Sequence, residues 1–147
     1  MKWIDTPPVW LLGCIALAYA ISGAVPWPRI GGPGDILGGA LVAIGVSLIA
    51  LAAREFRRHR TTIMPGETPE RLITTGIFAR SRNPIYLADL LILAGACLIL
   101  DAPAALFLVP VLAAVLLRRF VLPEEARMRD KFVAEFQAYA QQTNRWL

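Results

Sequence analysis

Charge is scarce in this chain. Asp, Glu, Lys and Arg make up 18% of its 147 residues, hydrophobic residues make up 56%, and the mean hydropathy is +0.55. That balance excludes an ordinary soluble domain and places the chain in a bilayer. Redox and metal chemistry are equally thin. Two cysteines, Cys14 and Cys97, fall in apolar stretches at what should be opposite depths, and neither belongs to a disulfide framework or a metal-ligand spacing. His59 is the lone histidine, set in a basic loop where a solvated side chain is the ordinary reading. No metal site is expected. Internal repeats, low-complexity tails and strand-like alternation are also missing, so the spanning segments are helices, whose backbone groups bond within their own segment.

Four apolar stretches, residues 9–25, 36–53, 85–100 and 102–117, approach the roughly 17–25 residues that cross a hydrocarbon core. The expected fold is all-α, an integral membrane bundle of four transmembrane helices forming one domain over residues 1–147. A polar loop at 54–84 and an amphipathic C-terminal helix at 123–141 complete it. Asp5 and the Pro7-Pro8 pair suit a signal peptide poorly despite the small-x-small run Ala18-Tyr19-Ala20, so the first stretch is read as a retained span.

The basic residues orient the bundle. Of 15 Lys and Arg, only Arg29 lies between the first two stretches and none lies between the last two. The positive-inside rule then puts both termini and the loop at 54–84 in the cytoplasm, the pattern of a multi-pass protein in a bacterial-type inner membrane. The net charge of +4 and the pI near 9.6 are therefore topology signals. A nucleic-acid partner would need an exposed basic face with aromatics for stacking, whereas these arginines are juxtamembrane, so none is expected.

Glycine and proline mark the turns. "GGPGD", Gly31 to Asp35, follows Pro26-Trp27-Pro28 and reads as an extracytoplasmic turn, not a phosphate loop, because no strand precedes it. Gly34, Gly38, Gly39, Ala43 and Gly45 make a small-residue face on the second stretch that would let another helix approach, within the chain or from a second copy. Pro110 should kink the fourth stretch.

Two separated pieces carry more than membrane physics. "RSRNPIYLADLLILAG", Arg80 to Gly95, runs from two arginines through Asn83-Pro84 into an apolar helix that carries Asp89 one turn inside. An acid at that depth either pairs with Arg80, Arg82 or a basic residue near Arg118, or meets a ligand. Tyr86 shares its helix face, although an interfacial tyrosine is common in any membrane protein. The second piece is "RRFVLPEEARMRDKFVAEFQAYAQQTNRWL". There Pro123, Glu124 and Glu125 suit a helix start, which the macrodipole makes a good place for anions. Met128, Phe132, Phe136 and Tyr139 recur at helical spacing to give one apolar face, expected against the membrane surface or the mouth of the bundle.

In order and spacing these two pieces resemble the isoprenylcysteine carboxyl methyltransferase and phospholipid methyltransferase family of integral membrane enzymes, over residues 61–147. The matching positions are Gly76, Arg82, Asn83, Pro84 and Tyr86, then Arg119, Glu124 and Glu125. Departures fall at Ile77-Phe78, Ala88, Val133 and Asn144, and none removes an ionisable group. The resemblance implies S-adenosyl-L-methionine held by Arg82, Asn83, Pro84, Tyr86, Arg119, Glu124 and Glu125 at the cytoplasmic mouth of the last two helices. Either glutamate would meet the cofactor ammonium, with Glu125 favoured, and Arg82 or Arg119 its carboxylate. Asp89 is a candidate for the substrate. The acceptor implied is a lipid or other apolar molecule whose head is methylated. No catalytic residue is assigned, since in-line methyl transfer needs alignment and exclusion of water more than a covalent nucleophile.

Two other classes compete. A membrane NADPH-dependent reductase of the sterol-reductase type resembles the same C-terminal region, but its cofactor needs more phosphate-binding cations than are present. In a non-enzymatic small membrane protein, the glutamates would only cap a helix.

Overall fold

The computed structural model describes residues 5–24, 30–61 and 70–147. Six helices account for most of them: α1 (Pro7–Ala24), α2 (Gly32–Arg58), α3 (Pro84–Ile99), α4 (Leu108–Leu116), α5 (Leu122–Lys131) and α6 (Val133–Gln142). No strand occurs among the described residues, and the all-helical membrane architecture holds. Two helices, α1 and α2, and the continuous helical run Pro103–Lys131 are long and apolar enough to cross a membrane; α3 is a shorter apolar helix. The first basic inter-span residue, Arg29, and the Pro26-Trp27-Pro28 stop lie outside the described residues, as does the stretch 62–69 of the loop.

Local chemistry explains the helix ends. α1 starts on the Pro7-Pro8 pair, where missing N–H groups cost nothing. At the start of α2 only Gly31, at φ +64°, stands outside the helix, and Gly32 to Asp35 form its first turn instead of a free-standing turn. Pro33 suits that position, and the Asp101 carboxylate accepts the N–H groups of Ile30 (2.9 Å) and Gly31 (3.3 Å), tying the α2 start to the turn after α3. α2 then continues past residue 53 to Arg58. Glu55 is buried, and Arg57 and Arg58 favour the C-terminal end of the dipole.

Small residues bring α2 and α3 together. A Cβ placed at Gly38 would lie 2.7 Å from the Gly95 carbonyl oxygen, and one at Gly95 would lie 2.5 Å from that of Gly38. Gly45 meets Ile92 and the Ala88 carbonyl in the same way. The contact face is Gly34, Gly38, Gly45 and Ala52, mostly seven apart, whereas Gly39 and Ala43 point outward. The opposite face of α3 supplies Tyr86, Leu93 and Cys97 to a core shared with Ala18 of α1 and Leu108, Leu112 and Leu116 of α4. Cys14 packs against this same core, so the two thiols share a layer and are not set apart by depth. Apolar side chains such as Leu12, Ile36 and Ile44 remain on the outside, as a lipid-facing surface requires.

The C-terminal third departs most from expectation. A 3-10 turn, Pro103–Phe107, leads directly into α4, and Pro110 falls in the first α-helical turn after that change of pitch. α4 joins α5 through one π-helical stretch, Leu117–Val121, in which the Leu122 N–H bonds the Leu117 carbonyl. Pro123 has no N–H to offer Arg119, and the wider turn absorbs the mismatch. The single helix expected at 123–141 is broken at Phe132 (φ −119°, ψ 51°). Beyond that break, α6 buries Phe136 and Tyr139, and Tyr139 reaches the loop at the mouth of the bundle.

Candidate active site

The loop before α3 and the tail after α6 are laced together. The Tyr139 hydroxyl donates to the Phe78 carbonyl at 2.6 Å, the Thr143 hydroxyl to that of Ala79 at 3.3 Å, and the Arg82 N–H to that of Asn144 at 3.0 Å. Burial pushes the Tyr139 phenol well above its ordinary range, which keeps it a donor. The Ser81 hydroxyl and the Asn83 amide both reach the Arg145 carbonyl.

Glu125 is the electrostatic centre of this lacing. It is 5% exposed and accepts from Arg145 through Nε at 3.1 Å and Nη2 at 2.8 Å, the two-donor geometry that makes Arg–carboxylate pairs strong. Arg82 Nη2 stands 3.4 Å from the same carboxylate, and Asn83 Nδ2 lies at 3.5 Å, the limit of a hydrogen bond. The hydrogen bond to Glu125 holds the Arg145 guanidinium above its ordinary value.

Glu124 faces elsewhere. It accepts the Tyr86 hydroxyl at 2.8 Å, and the Tyr86 ring stacks on Phe120 with centroids 6.3 Å apart. Arg127 and Asp89 are both close enough for their charges to act on that hydroxyl. Pro84 occupies the first turn of α3 and Asn83 the position before it; with no capping bond to make, the Asn83 side chain is left for the tail and for Glu125. Arg82, Asn83, Pro84, Tyr86, Glu124 and Glu125 therefore meet at the loop-side end of α3 and α5.

Arg119 does not join them. It pairs with Asp5 at 2.9 Å and lies over the Trp10 ring, half-exposed beside the start of α1. Asp89 is buried at 5% exposure, and it makes no ion pair with Arg80, Arg82 or Arg118 among the described residues. Its Oδ2 has no hydrogen-bond partner there, and neither have the buried Nε atoms of Arg82 and Arg127. Native interiors leave few such atoms unpaired; Asp89 and Arg127 both act on the Tyr86 hydroxyl, whereas Arg82 lies with Glu125 and the tail.

Sequence reasoning missed Arg145, Arg127 and Glu55. Glu55, 7% exposed, accepts the Thr75 hydroxyl at 2.7 Å and has His59 at 3.6 Å, while His59 Nε2 is 2.9 Å from the Thr75 hydroxyl oxygen. The lone histidine is thus part of a clasp between α2 and the loop. Gly76, at φ +60°, lies against it: a Cβ there would come within 2.5 Å of the Glu55 carboxyl carbon. Glu55 had one available signal, an acid among arginines at the end of an apolar run. A separate open cleft of about 510 Å³ lies between the loop and α6, lined by Leu72, Thr74, Glu135 and Tyr139 among others. It offers one carboxylate and no cation, so it does not suit both ends of an amino-acid moiety.

Residues 34–135 match the family model described as phospholipid methyltransferase. The chain belongs to that family. The match covers well over half of the sequence, begins earlier than the resemblance in residues 61–147, and ends before Arg145. No curated protein and no solved structure matches the chain. Family and helices together make the protein a membrane methyltransferase, which favours the transferase reading over the reductase and over a non-enzymatic role.

Proposed function

We propose that the protein transfers the methyl group of S-adenosyl-L-methionine to the polar head of a lipid-like acceptor at the cytoplasmic face of the membrane. The observation that carries this reading is that two residues with an unpaired buried polar atom, Asp89 (Oδ2) and Arg127 (Nε), act on the hydroxyl of the Tyr86–Glu124 hydrogen bond, with a third, Arg82 (Nε), on the adjacent Glu125. The donor set fits the cofactor: Arg82 and Arg127 suit its carboxylate, Glu124 its ammonium, and Tyr86 with Phe120 an apolar wall. When bound, S-adenosylmethionine supplies an electrophilic methyl group on a sulfonium.

The chain's own residues do the rest. Glu125 is a positioning residue, since its charge is already compensated by Arg82 and Arg145 and it fixes where the Arg82 guanidinium stands. Asn83 and the tail close the loop-side end against water, which strengthens every charge contact inside. α3 has 16 residues, about 24 Å at 1.5 Å per residue, short of a hydrocarbon core of about 30 Å. Its loop-side end would therefore sit near the hydrocarbon edge, where an acceptor head and a water-borne cofactor can meet.

Calorimetry on the protein in nanodiscs tests the reading. Saturable binding of S-adenosylmethionine or its demethylated product, without NADPH binding, is expected. Saturable NADPH binding with none for the methyl donor would overturn it.

A further inference from the structure

The outer face of α2 is apolar along most of its length and cationic at its loop-side end. Leu37, Ile44 and Leu51, each two helical turns beyond the last, are exposed on it, and the next residue in that column is Arg58. Two neighbouring exposed columns end alike, with Ser47 followed by Arg54 and Ala50 by Arg57. The three guanidiniums therefore close one continuous face. None of them pairs with a described acid, since Glu55, which follows Arg54 in the chain, is buried on the other side of the helix and is taken by Thr75 and His59. The helix dipole accounts for Arg57 and Arg58, which lie in the last turn, but not for Arg54. α2 packs chiefly against α3 and the Gly76–Ala79 turn, so its outer face is left to the bilayer.

We infer that this face holds an anionic phospholipid, with the headgroup phosphate against Arg54, Arg57 and Arg58 and the acyl chains along Leu51 and Ile44. Guanidinium groups meet phosphate oxygens with paired donors, and a diacyl lipid supplies the anion and the apolar chains in one molecule, in the order in which the helix presents their partners. A zwitterionic headgroup carries its own cation to the same place and gains less. A second copy of the chain is a poorer occupant. Two α2 helices side by side in one membrane orientation would bring both arginine clusters together, which like charges disfavour. The face is turned away from α3, and Tyr86 lies on the far side of that helix, so the lipid held here is not the methyl acceptor. What it grips is the end of α2 whose inner side carries the Glu55 clasp to the loop leading to Arg82.

Fluorescence quenching by brominated lipids tests this. A bimane label is placed at Leu51→Cys or, for comparison, at Leu12→Cys, an exposed position on α1, with Cys14 and Cys97 replaced by Ala. Each protein is reconstituted in phosphatidylcholine vesicles containing a minor fraction of brominated phosphatidylglycerol or brominated phosphatidylcholine. At position 51 the phosphatidylglycerol is expected to reach half-maximal quenching at a fraction lower by about fivefold or more, the preference that one arginine confers near a membrane surface. At position 12 the two lipids should differ far less. Replacing Arg54, Arg57 and Arg58 together by Gln should erase the difference at position 51, and Arg54→Gln alone, which spares the two dipole partners, should reduce it. Equal quenching by the two lipids at position 51, equal enrichment at positions 51 and 12, or an unchanged preference in the triple variant overturns the inference. Oxidative cross-linking of two copies through position 51, with no preference between the lipids, would give the face to a second copy instead.

Discussion

Arg145 grips Glu125 with two donors, Nε at 3.1 Å and Nη2 at 2.8 Å, and in doing so fastens the end of the chain to the helix that carries the glutamate pair. Two guanidiniums, from Arg145 and Arg82, share one carboxylate that is almost fully buried. The two adjacent glutamates consequently have different work. Glu125 holds loop, α5 and tail in register; Glu124 faces Tyr86 at the candidate cofactor mouth.

That division gives the first prediction. Glu125→Gln leaves two guanidiniums without their shared anion, and its cost should fall between that of an exposed pair and a buried one, on the order of 1–3 kcal/mol. Glu124→Gln should change stability by less than about 1 kcal/mol yet weaken S-adenosylmethionine binding by about tenfold or more. Thermal unfolding and calorimetry on both variants in the same detergent separate the two. If Glu125→Gln leaves the melting temperature untouched and Glu124→Gln leaves affinity untouched, the assignment of roles is reversed or wrong.

Much of this was legible in the sequence, and the gaps have physical causes. The helical membrane bundle follows from apolar runs, and the Arg82–Tyr86 and Glu124–Glu125 pieces do meet, because each opens a helix at the same end of the bundle. The partner of Glu125 was not legible, since Arg145 lies twenty residues away beyond a helix break at Phe132 that no proline or glycine announces. Arg119 looked equivalent to Arg82, but it lies within the π-helical stretch before Pro123, and its side chain pairs with Asp5. Gly39 and Ala43 looked like part of the packing face, which in fact runs through Gly34, Gly38, Gly45 and Ala52 at spacings of four, seven and seven.

The packing face makes a second prediction. Gly38→Ala and Gly95→Ala each force a Cβ against a backbone carbonyl at 2.7 and 2.5 Å, so each should destabilise the bundle by about 1–3 kcal/mol, the usual cost of overpacking. Gly39→Ala has nothing within 4 Å and should be neutral or slightly stabilising. Detergent-resistance or thermal melts of the three variants provide the check. Equal behaviour of Gly38→Ala and Gly39→Ala would mean α2 and α3 are not this close.

Topology offers a third. If both termini are cytoplasmic, a thiol at the α2 start and one in the tail face opposite sides of the membrane. Gly32→Cys is suitable because a Cβ there meets nothing, and Asn144→Cys because that residue is exposed. Each is made in a background with Cys14 and Cys97 replaced by Ala. An impermeant maleimide applied to intact cells should label position 32 and spare position 144; labelling of both from outside refutes the arrangement.

The last prediction concerns the clasp between α2 and the loop. Gly76 adopts φ +60°, a region that side-chain-bearing residues occupy at a cost, and its missing Cβ is also where the Glu55 carboxyl group lies. Gly76→Ala therefore suffers twice, through backbone strain and through collision with Glu55, and should lose about 1–3 kcal/mol in all. The two contributions are separable. Shortening the acid in Glu55→Ala removes the collision but breaks the bonds to Thr75 and the contact with His59, so that variant alone should also be destabilised. In the double variant the collision no longer exists, and the combined loss should be smaller than the sum of the single losses by about 0.5–3 kcal/mol, the usual coupling between residues in contact. Strictly additive losses in a thermal or chemical melt would show that Glu55 does not lie against Gly76 and that the loop leading to Arg82 is held by something else.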